Sequence, residues 1–289
     1  MNSAVKAFYT KLSKHMPGRF RDMLEASLFN PIQLIERWEI RQAERSGPPY
    51  RPSHRKIIID ITTACALRCV DCNRSCGEGQ AVSSEHISVG QIEKFVNESE
   101  TQGRMWEEIA LEGGEPTLHP GLVEIIELLL QYKRIFSPRT NIHVQTNGYG
   151  SIRRCLELLR RQGILVIDTR KTSNAPQHPF AFNRAPCDEP GMEDADFSQG
   201  CFLPACYGLG LTRHGYYPHP VCGGIDRVFG FDIGRKSLPP AGDPMEEQFK
   251  RLCRFCGLIL GAREGAGMSE SWRKAYYRYQ EKKPEMRLY

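Results

Sequence analysis

The sequence predicts an α/β protein with a parallel sheet, followed by a small cysteine-rich C-terminal region. Two observations predict this class. Short β-branched runs alternate with apolar segments of helical period between residues 56 and 168, as they do in parallel βα units. Beyond residue 173 the alternation fails, and five of the eleven cysteines lie after residue 200. The sheet is therefore expected to stop early, and the late cysteines to form a region of their own.

Four strands and the helices between them follow from periodicity. The predicted strands are 56–61, 109–112, 142–145 and 164–168. Ser88 and Gln91 have the spacing of a capping box, which predicts the start of the first intervening helix. Apolar residues at helical spacing predict two further helices, over 121–135 and 151–162. Crossovers of this kind bring the carboxyl ends of parallel strands to one edge of the sheet.

The first 52 residues are predicted to form an N-terminal helical extension. Asn30 and Pro31 suit the N-cap and the first turn of a helix. Ile35 and Trp38 follow at helical spacing, and the Gly-Pro-Pro run at 47–49 ends the segment. We expect this helix to pack on the outside of the main domain. A lid or a partner-docking segment is the alternative.

Three cysteines, Cys65, Cys69 and Cys72, follow the first predicted strand with the spacing C-x3-C-x2-C. Three thiolates on one loop can hold three irons of a [4Fe–4S] cube and leave the fourth open to another ligand, whereas ordinary cubes use four cysteines. A zinc site that also used Cys76 is the alternative, although zinc sites favour paired C-x2-C motifs. A disulfide framework is not expected in a chain of this length without a signal peptide.

Glycine and polar residues follow the other predicted strands at the same edge of the sheet. They are Gly113, Gly114, Glu115 and Pro116 after the second strand, Thr146 and Asn147 after the third, and Asp168 after the fourth. Glycines let a ligand approach the backbone closely, and a plain tight turn is the alternative. Threonine and asparagine also end strands for turn reasons alone.

With these motifs, the chain resembles the radical S-adenosylmethionine (radical SAM) superfamily over roughly residues 56–260. The cysteine loop after the first strand and the Gly-Gly-Glu-Pro turn after the second carry the resemblance. It implies a partial, truncated TIM-like parallel β/α barrel. It also implies that SAM chelates the open iron, that one electron from the cluster breaks a C–S bond, and that the 5′-deoxyadenosyl radical takes hydrogen from a substrate. Asp71 departs from the pattern, because many members carry an aromatic residue there, near the adenine.

The resemblance also implies roles for individual residues. The expected catalytic, iron-binding cysteines are Cys65, Cys69 and Cys72. The expected contacts of the SAM methionine amino group are Gly113, Gly114, Glu115 and Pro116. The expected contacts of the ribose and the carboxylate are Thr146, Asn147, Asp168 and Arg170, with Lys171 as an alternative to Arg170. An external one-electron donor such as flavodoxin or ferredoxin is the implied protein partner.

The late cysteines resemble the twitch or SPASM cap of this superfamily, which binds an auxiliary iron–sulfur cluster. Residues 208–218 are predicted to form a hairpin that Cys206 opens and Cys222 ends, so that both thiols face one metal. The expected ligands of an auxiliary [4Fe–4S] cluster are Cys206, Cys222, Cys253 and Cys256, with Cys201 as the rival for the first position. The layout resembles that of aminoglycoside-cyclitol dehydrogenases of the 2-deoxy-scyllo-inosamine type. A structural zinc site with the same thiols is the alternative.

These features divide the chain into four predicted parts. They are an N-terminal helical extension (1–52), a radical SAM partial barrel (53–195), a twitch/SPASM-like auxiliary-cluster cap (196–262), and a C-terminal helix with a tail (263–289).

Composition narrows the functional class. The net charge of +5 is modest, and no basic stripe interleaved with aromatic residues predicts nucleic-acid binding. No apolar run has the roughly 20 residues of a membrane span, and a cytoplasmic location is expected. The preferred function is radical oxidation or rearrangement of a small polar metabolite, with the auxiliary cluster as electron acceptor. The alternatives are radical modification of a ribosomal peptide and a non-catalytic, metal-stabilised binding or sensing protein.

Overall fold

A computed structural model describes residues 38, 40–76, 84–149, 153–174, 180–261 and 267–289. Its strands are β1 Lys56–Thr62, β2 Glu108–Gly113, β3 Asn141–Thr146, β4 Leu165–Asp168, β5 Leu209–Thr212 and β6 Gly215–Tyr217. They form one six-stranded sheet in the order β4-β3-β2-β1-β5-β6. Neighbouring strands are parallel except β5 and β6, which form an antiparallel hairpin. Within the described ranges β4 and β6 are edge strands, so the sheet is open, and the predicted α/β partial-barrel class is confirmed.

Besides the helical residues 40–46, the described ranges hold seven α-helices. They are α1 Val89–Thr101, α2 Leu122–Ile135, α3 Arg153–Arg161, α4 Phe202–Tyr207, α5 Pro220–Phe229, α6 Glu246–Leu252 and α7 Glu270–Glu281. The start of α1 has the predicted capping box, in which Gln91 N donates to Ser88 Oγ and Ser88 N donates to Gln91 Oε1. None of the helices in the described ranges is both long and apolar enough to cross a lipid bilayer.

One face of the sheet packs against α1 and α2. Ile57, Ile59 and Ile61 alternate along β1 and are all fully buried on this face, because successive side chains of a strand point to opposite sides. Phe95 of α1 and Ile125 of α2 belong to the same core. Burial of each large apolar side chain contributes about 1.5–3 kcal/mol, so this core fixes the sheet that carries the site.

The opposite face of the sheet is polar near β1 and packed near β5. Asp60 and Glu112 are register partners on β1 and β2, and both form ion pairs with Arg74, at 3.1 and 2.7 Å. Burial raises the pKa of Asp60 to about 6, although Arg74 acts in the opposite direction. At the other end α5 lies against β5, where a Cβ on Gly223 would overlap the methyl group of Thr212. Helix α5 therefore covers this second face of the sheet towards β5 and β6.

The structure adds a pairing that links the predicted barrel to the predicted cap. The hairpin is formed as predicted, but β5 also pairs in parallel with β1, so that Ile59 is the register partner of Leu211. The hairpin therefore extends the main sheet. The four domain boundaries stay predictions. The helix start at Asn30 and Pro31 lies outside the described residues, within which residues 40–46 are helical.

Candidate cluster and cofactor site

The three cysteines after β1 lie close together at the carboxyl edge of the sheet. Burial raises the pKa of the Cys65 thiol to about 11; the backbone N–H of Leu67 opposes this change, and the neighbouring Cys72 and Cys69 thiols add to it. Cys69 is buried, while Cys65 and Cys72 are half-buried. Since Cys65 and Cys69 have raised pKa values, a bound metal would have to displace their protons.

Two segments hold the cysteine loop in place. Asn174, which follows β4, accepts from Arg68 N at 2.7 Å through Oδ1 and from Val70 N at 3.1 Å through its carbonyl oxygen. Asn147, which follows β3, donates from Nδ2 to Cys65 Sγ at 3.4 Å. Sequence reasoning missed Asn174, because only the tertiary structure brings its turn to the cysteine loop.

Gly113 and Gly114 are required by a close backbone approach to this loop. Gly113 has φ of +130°, and a Cβ there would overlap the carbonyl oxygen of Thr62. A Cβ on Gly114 would overlap the carbonyl oxygen of Ala64, which directly precedes Cys65. The turn after β2 is thus packed against the cysteine loop. The missing side chain of Gly114 thus leaves room for the protein's own backbone, and the expected contact of Gly114 with SAM stays a prediction.

Glu115 is fully buried and bonded to the protein on both carboxylate oxygens. Oε1 accepts from Thr117 Oγ1 at 2.7 Å, and Oε2 accepts from Asn147 N at 2.9 Å. Thr146 Oγ1 lies 2.9 Å from each oxygen. Glu115 therefore ties the end of β2 to the end of β3, and through Asn147 it positions the turn that contacts Cys65. Pro116 begins a short 3-10 helix, Pro116–Leu118, beside it.

The remaining predicted contacts follow β4. Asp168 accepts from Arg170 N at 2.8 Å through Oδ1, and a Cβ on Gly148 would overlap the Asp168 carboxylate. Arg170 has φ of +50° and is exposed. Lys171 lies near the cluster loop. Burial raises the pKa of Cys69, and the positive charge of Lys171 opposes this rise. The expected contact of Arg170 with the SAM carboxylate stays a prediction, with Lys171 as its alternative.

Residues 59–170 match the family model described as the Radical SAM superfamily. The matched region includes the three cysteines, the Gly-Gly-Glu-Pro turn and the polar ends of β3 and β4. Residues 59–170 are a radical SAM domain.

Two known proteins are similar to this chain. GTP 3′,8-cyclase of Streptomyces coelicolor is 30% identical over 106 residues, which are 37% of this chain and 29% of the cyclase. The matched segment thus spans less than a third of that relative's length. The crystal structure of BtrN in complex with AdoMet and 2-DOIA has a TM-score of 0.42 at 13% identity, covering 74% of this chain and 94% of BtrN. A likeness this distant assigns neither substrate nor ligand.

The donors present in the radical SAM domain fit the cofactors that its superfamily uses, a [4Fe–4S] cluster and SAM. All eleven cysteines are unbridged thiols. Across the described ranges, no three His, Cys, Asp or Glu side chains converge tightly enough to ligate one ion. A zinc ion draws its sulfurs to about 2.3 Å, whereas a cube has an iron at each of four corners and needs ligands further apart. Cys65, Cys69 and Cys72 are neighbouring thiols on one loop, which fits the three-cysteine ligand set of such a cube.

A second group of thiols lies beyond the radical SAM domain. Burial raises the pKa of Cys201 well above its ordinary value, and the neighbouring Cys256, Cys222 and Cys206 thiols add to this rise. A hydrogen bond with Cys222, together with burial, likewise raises the pKa of Cys253. Cys222 and Cys256 belong to one buried apolar cluster, against which Cys201 packs.

The placement of two late cysteines differs from the expectation. Cys222 does not end the hairpin but lies in the first turn of α5, which starts with His219 as N-cap and Pro220 as first residue. Cys206 lies in α4 and does not open a strand. Of the two rivals for the first position, Cys201 neighbours Cys253, and Cys206 in turn neighbours Cys201. The His-Pro dipeptide was the sequence signal for this helix start.

Proposed function

We propose that this protein is a radical SAM enzyme that oxidises or rearranges a small polar metabolite. Cys65, Cys69 and Cys72 hold the catalytic [4Fe–4S] cluster. One observation carries the proposal: the radical SAM domain places these three thiols together at the carboxyl edge of the sheet, packed against the Gly113–Gly114 turn.

Each residue of the site has a distinct task in this proposal. Gly113 and Gly114 let the backbone after β2 meet the cysteine loop and form the floor on which SAM lies. Glu115 is a positioning residue that orients the Thr146–Asn147 turn. Asp168, with Lys171 or Arg170, lies where the ribose and the carboxylate of SAM would be held. When bound, the cluster and SAM together supply a strong hydrogen-atom acceptor at the open edge of the sheet.

The polar face of the sheet supports a small polar substrate. Asp60, Glu112 and Arg74 form a buried ionic group on the face opposite the apolar core, between β1 and β2. Buried charges of this kind favour ligands that offer hydroxyl or amino groups over apolar ones. A ribosomal peptide is the alternative substrate class, and the effect of each class on SAM turnover separates the two.

The late cysteines are proposed to hold an auxiliary [4Fe–4S] cluster with Cys201, Cys222, Cys253 and Cys256 as ligands. This set replaces Cys206 by Cys201, because Cys201 neighbours Cys222, Cys253 and Cys256. With four protein ligands such a cluster has no open iron. It would therefore accept an electron from the substrate side rather than bind the substrate. The cap is of twitch/SPASM type on this view, and the enzyme is of the oxidoreductase class.

Iron counting tests the proposal. After anaerobic reconstitution the wild type should bind about eight irons and the Cys65/Cys69/Cys72 triple Ala variant about four, as two cubes require. Each single Ala variant of these cysteines should also lose 5′-deoxyadenosine formation from SAM, while Cys155→Ala keeps it. Full 5′-deoxyadenosine yield in any single variant would overturn the catalytic assignment. Bound zinc without iron would favour a non-catalytic, metal-stabilised protein.

The partners follow from the chemistry. An external one-electron donor such as flavodoxin or ferredoxin would reduce the catalytic cluster, most simply in the cytoplasm, where thiols stay reduced. Reduced flavodoxin should support 5′-deoxyadenosine formation in the wild type. The rate of SAM turnover should be measured with polar metabolites such as cyclitols and amino sugars and, separately, with short peptides. We expect the polar metabolites to raise the rate. A response to peptides alone would move the substrate class to peptide modification.

A further inference from the structure

Helix α5 connects the two groups of cysteines through one buried arginine. Cys222 lies in the first turn of α5 and Arg227 in its last. The two positions are about 7.5 Å apart along the axis at 1.5 Å per residue. The Arg227 side chain is 6% exposed and reaches the chain that leaves the cluster loop.

Arg227 bonds directly to the segment that follows Cys72. Its Nη2 donates to the carbonyl oxygen of Arg74 at 2.9 Å and to that of Ser75 at 3.0 Å. Its Nη1 donates to Tyr279 Oη on α7 at 2.8 Å. A charged donor shared by two carbonyl groups fixes their orientation more firmly than a neutral donor does.

The segment that Arg227 holds is strained and tightly packed. Ser75 has φ of +53°, a left-handed conformation that non-glycine residues rarely adopt. Ser75 N donates to the carbonyl oxygen of Cys72 at 2.9 Å, which closes a turn on the cluster ligand itself. A Cβ on Gly224 of α5 would lie 3.1 Å from the Arg74 carbonyl group, so the helix surface touches this turn.

The charge of Arg227 also lies near the sulfur atoms. Its guanidinium contacts the carbonyl oxygen of Arg74, which is only two residues from the proposed iron ligand Cys72. The acidic side chains that face Arg227 are Glu85 and Asp60. A buried cation beside an iron–sulfur ligand favours the reduced, more negative state of the cluster.

We propose that Arg227 is a positioning residue of the catalytic site, which orients the Cys72–Ser75 turn and couples it to the helix that carries Cys222. This rests on the proposed two-cluster function. Its consequences are that the guanidinium raises the reduction potential of the catalytic cluster, and that filling the late cysteine site stabilises residues 72–76.

The test compares Arg227→Gln with Arg227→Lys in the full chain, reconstituted anaerobically. Arg227→Gln should speed amide hydrogen exchange over residues 72–76 by at least about tenfold, since two charge-assisted hydrogen bonds are lost. It should also move the potential of the catalytic cluster to a more negative value. Arg227→Lys should restore most of the potential, because the charge remains, but less of the protection, because an ammonium group lacks the planar fork. The matched control is Arg278→Gln, an exposed arginine next to Tyr279, which should change neither.

A second comparison tests the coupling between the sites. Cys253→Ala, which empties the late site, should speed exchange over residues 72–76 in the parent and have no further effect in Arg227→Gln. If Cys253→Ala and Arg227→Gln each speed exchange by factors that combine independently, the coupling between the sites is overturned. If Arg227→Gln changes neither the exchange over residues 72–76 nor the potential of the catalytic cluster, the positioning role is overturned. If Arg227→Gln does not fold, Tyr279→Phe is the second variant, because it removes only the hydroxyl group that accepts from Arg227 Nη1. It should speed amide exchange over residues 72–76 by a smaller factor. Unchanged exchange in Tyr279→Phe would also overturn the proposal.

These outcomes separate this inference from the proposed function. A wild type with only four irons would refute the auxiliary cluster while the exchange over residues 72–76 still reports on the Arg227 hydrogen bonds. Conversely, eight irons with unchanged exchange in Arg227→Gln would leave the two-cluster function standing and refute the role of Arg227.

Discussion

The two groups of cysteines differ in how the fold holds them. Cys65, Cys69 and Cys72 lie on a loop at the edge of the sheet, and two of the three are half-buried. The late thiols lie on or beside short helices, where Cys222, Cys253 and Cys256 are buried in apolar clusters and Cys201 is half-buried. A site that must admit a cofactor needs access from solvent, whereas a site that only passes electrons can be sealed.

The two groups nevertheless share one local device. The backbone N–H two residues after the cysteine bonds the sulfur of Cys65, Cys201 and Cys256, and in each case it lowers the thiol pKa against the effect of burial. Hydrogen bonds to sulfur of this kind stabilise the thiolates that ligate iron–sulfur clusters. The turn around the cysteine is therefore the same in both groups. What distinguishes the proposed catalytic cluster from the proposed electron-accepting cluster is the solvent exposure of most of their thiols.

The largest expected effect concerns the identity of the late ligands. Cys201→Ala should lose about four irons, because a cube with three protein ligands in an apolar site is not retained, while Cys206→Ala should keep about eight. Iron and sulfide analysis with Mössbauer spectroscopy would measure this. Loss of the second cluster in Cys206→Ala, with retention in Cys201→Ala, would return the first position to Cys206.

Gly114→Val should disturb the catalytic site next most strongly. The new Cβ would overlap the carbonyl oxygen of Ala64, so the loop must move Cys65 away from its neighbours. We expect partial loss of the catalytic cluster and a fall of about 1–3 kcal/mol in the free energy of unfolding, as overpacking typically causes. The matched control is Gly267→Val, where a Cβ meets nothing within 4 Å. Normal iron content and SAM affinity in Gly114→Val would show that the loop tolerates the shift.

Glu115→Gln should have a smaller effect that is also confined to the catalytic site. The amide would turn an NH2 group towards Thr117, Thr146 or Asn147, which all donate to the carboxylate. A loss of about 1–3 kcal/mol is expected from the mismatched buried group. Urea unfolding would measure it, with Thr146→Val as the partial variant that removes one donor. The late cluster should remain fully loaded in both, and its loss would show that the two sites are not independent at this position.

The last effect is seen only at acid pH and is a pH dependence in the contacts between the two regions. Although burial acts to raise it, the hydrogen bond from His214 and the charges of Arg227 and Lys283 lower the pKa of Glu85 from 4.5 to about 2. A depressed carboxyl pKa stabilises the folded state above the unfolded value and loses that contribution as pH falls towards about 2. We expect about 2–3 kcal/mol to be lost between pH 4.5 and pH 2. Glu85→Gln should flatten this part of the stability profile, and an unchanged slope would contradict the assignment.

The sequence predicted what depends on local pattern. β1 to β4 and the capping box of α1 were placed to within about two residues, because periodicity and capping residues are local signals. The pairing of β5 with β1 could not be predicted in this way, since it joins distant segments and neither strand encodes its neighbour.

In the candidate site, too, the features that depend on local sequence were predicted and those that depend on the tertiary fold were not. The cysteine spacing and the glycine pair were visible, and the structure brings them together. The inward orientation of Glu115 depends on strand register, and the left-handed backbone at Arg170 depends on the turn after β4. The overlap that a side chain at Gly114 would make with Ala64 also needs the tertiary fold. Residue identity alone does not distinguish a group that binds a cofactor from one that supports its neighbours.

The pairing of β5 with β1 has a consequence for synthesis on the ribosome. β1 is the middle of the finished sheet, but its β5 side stays unpaired until a strand about 150 residues later has been made, which takes roughly 7–30 s at typical translation rates. During that time the nascent chain presents an unprotected strand of β-branched residues, Ile57 to Ile61. Exposed edges of this kind recruit other chains. Slow elongation or early termination before Thr212 should therefore direct the product to chaperones or to aggregates, and coexpressed chaperones should raise the yield.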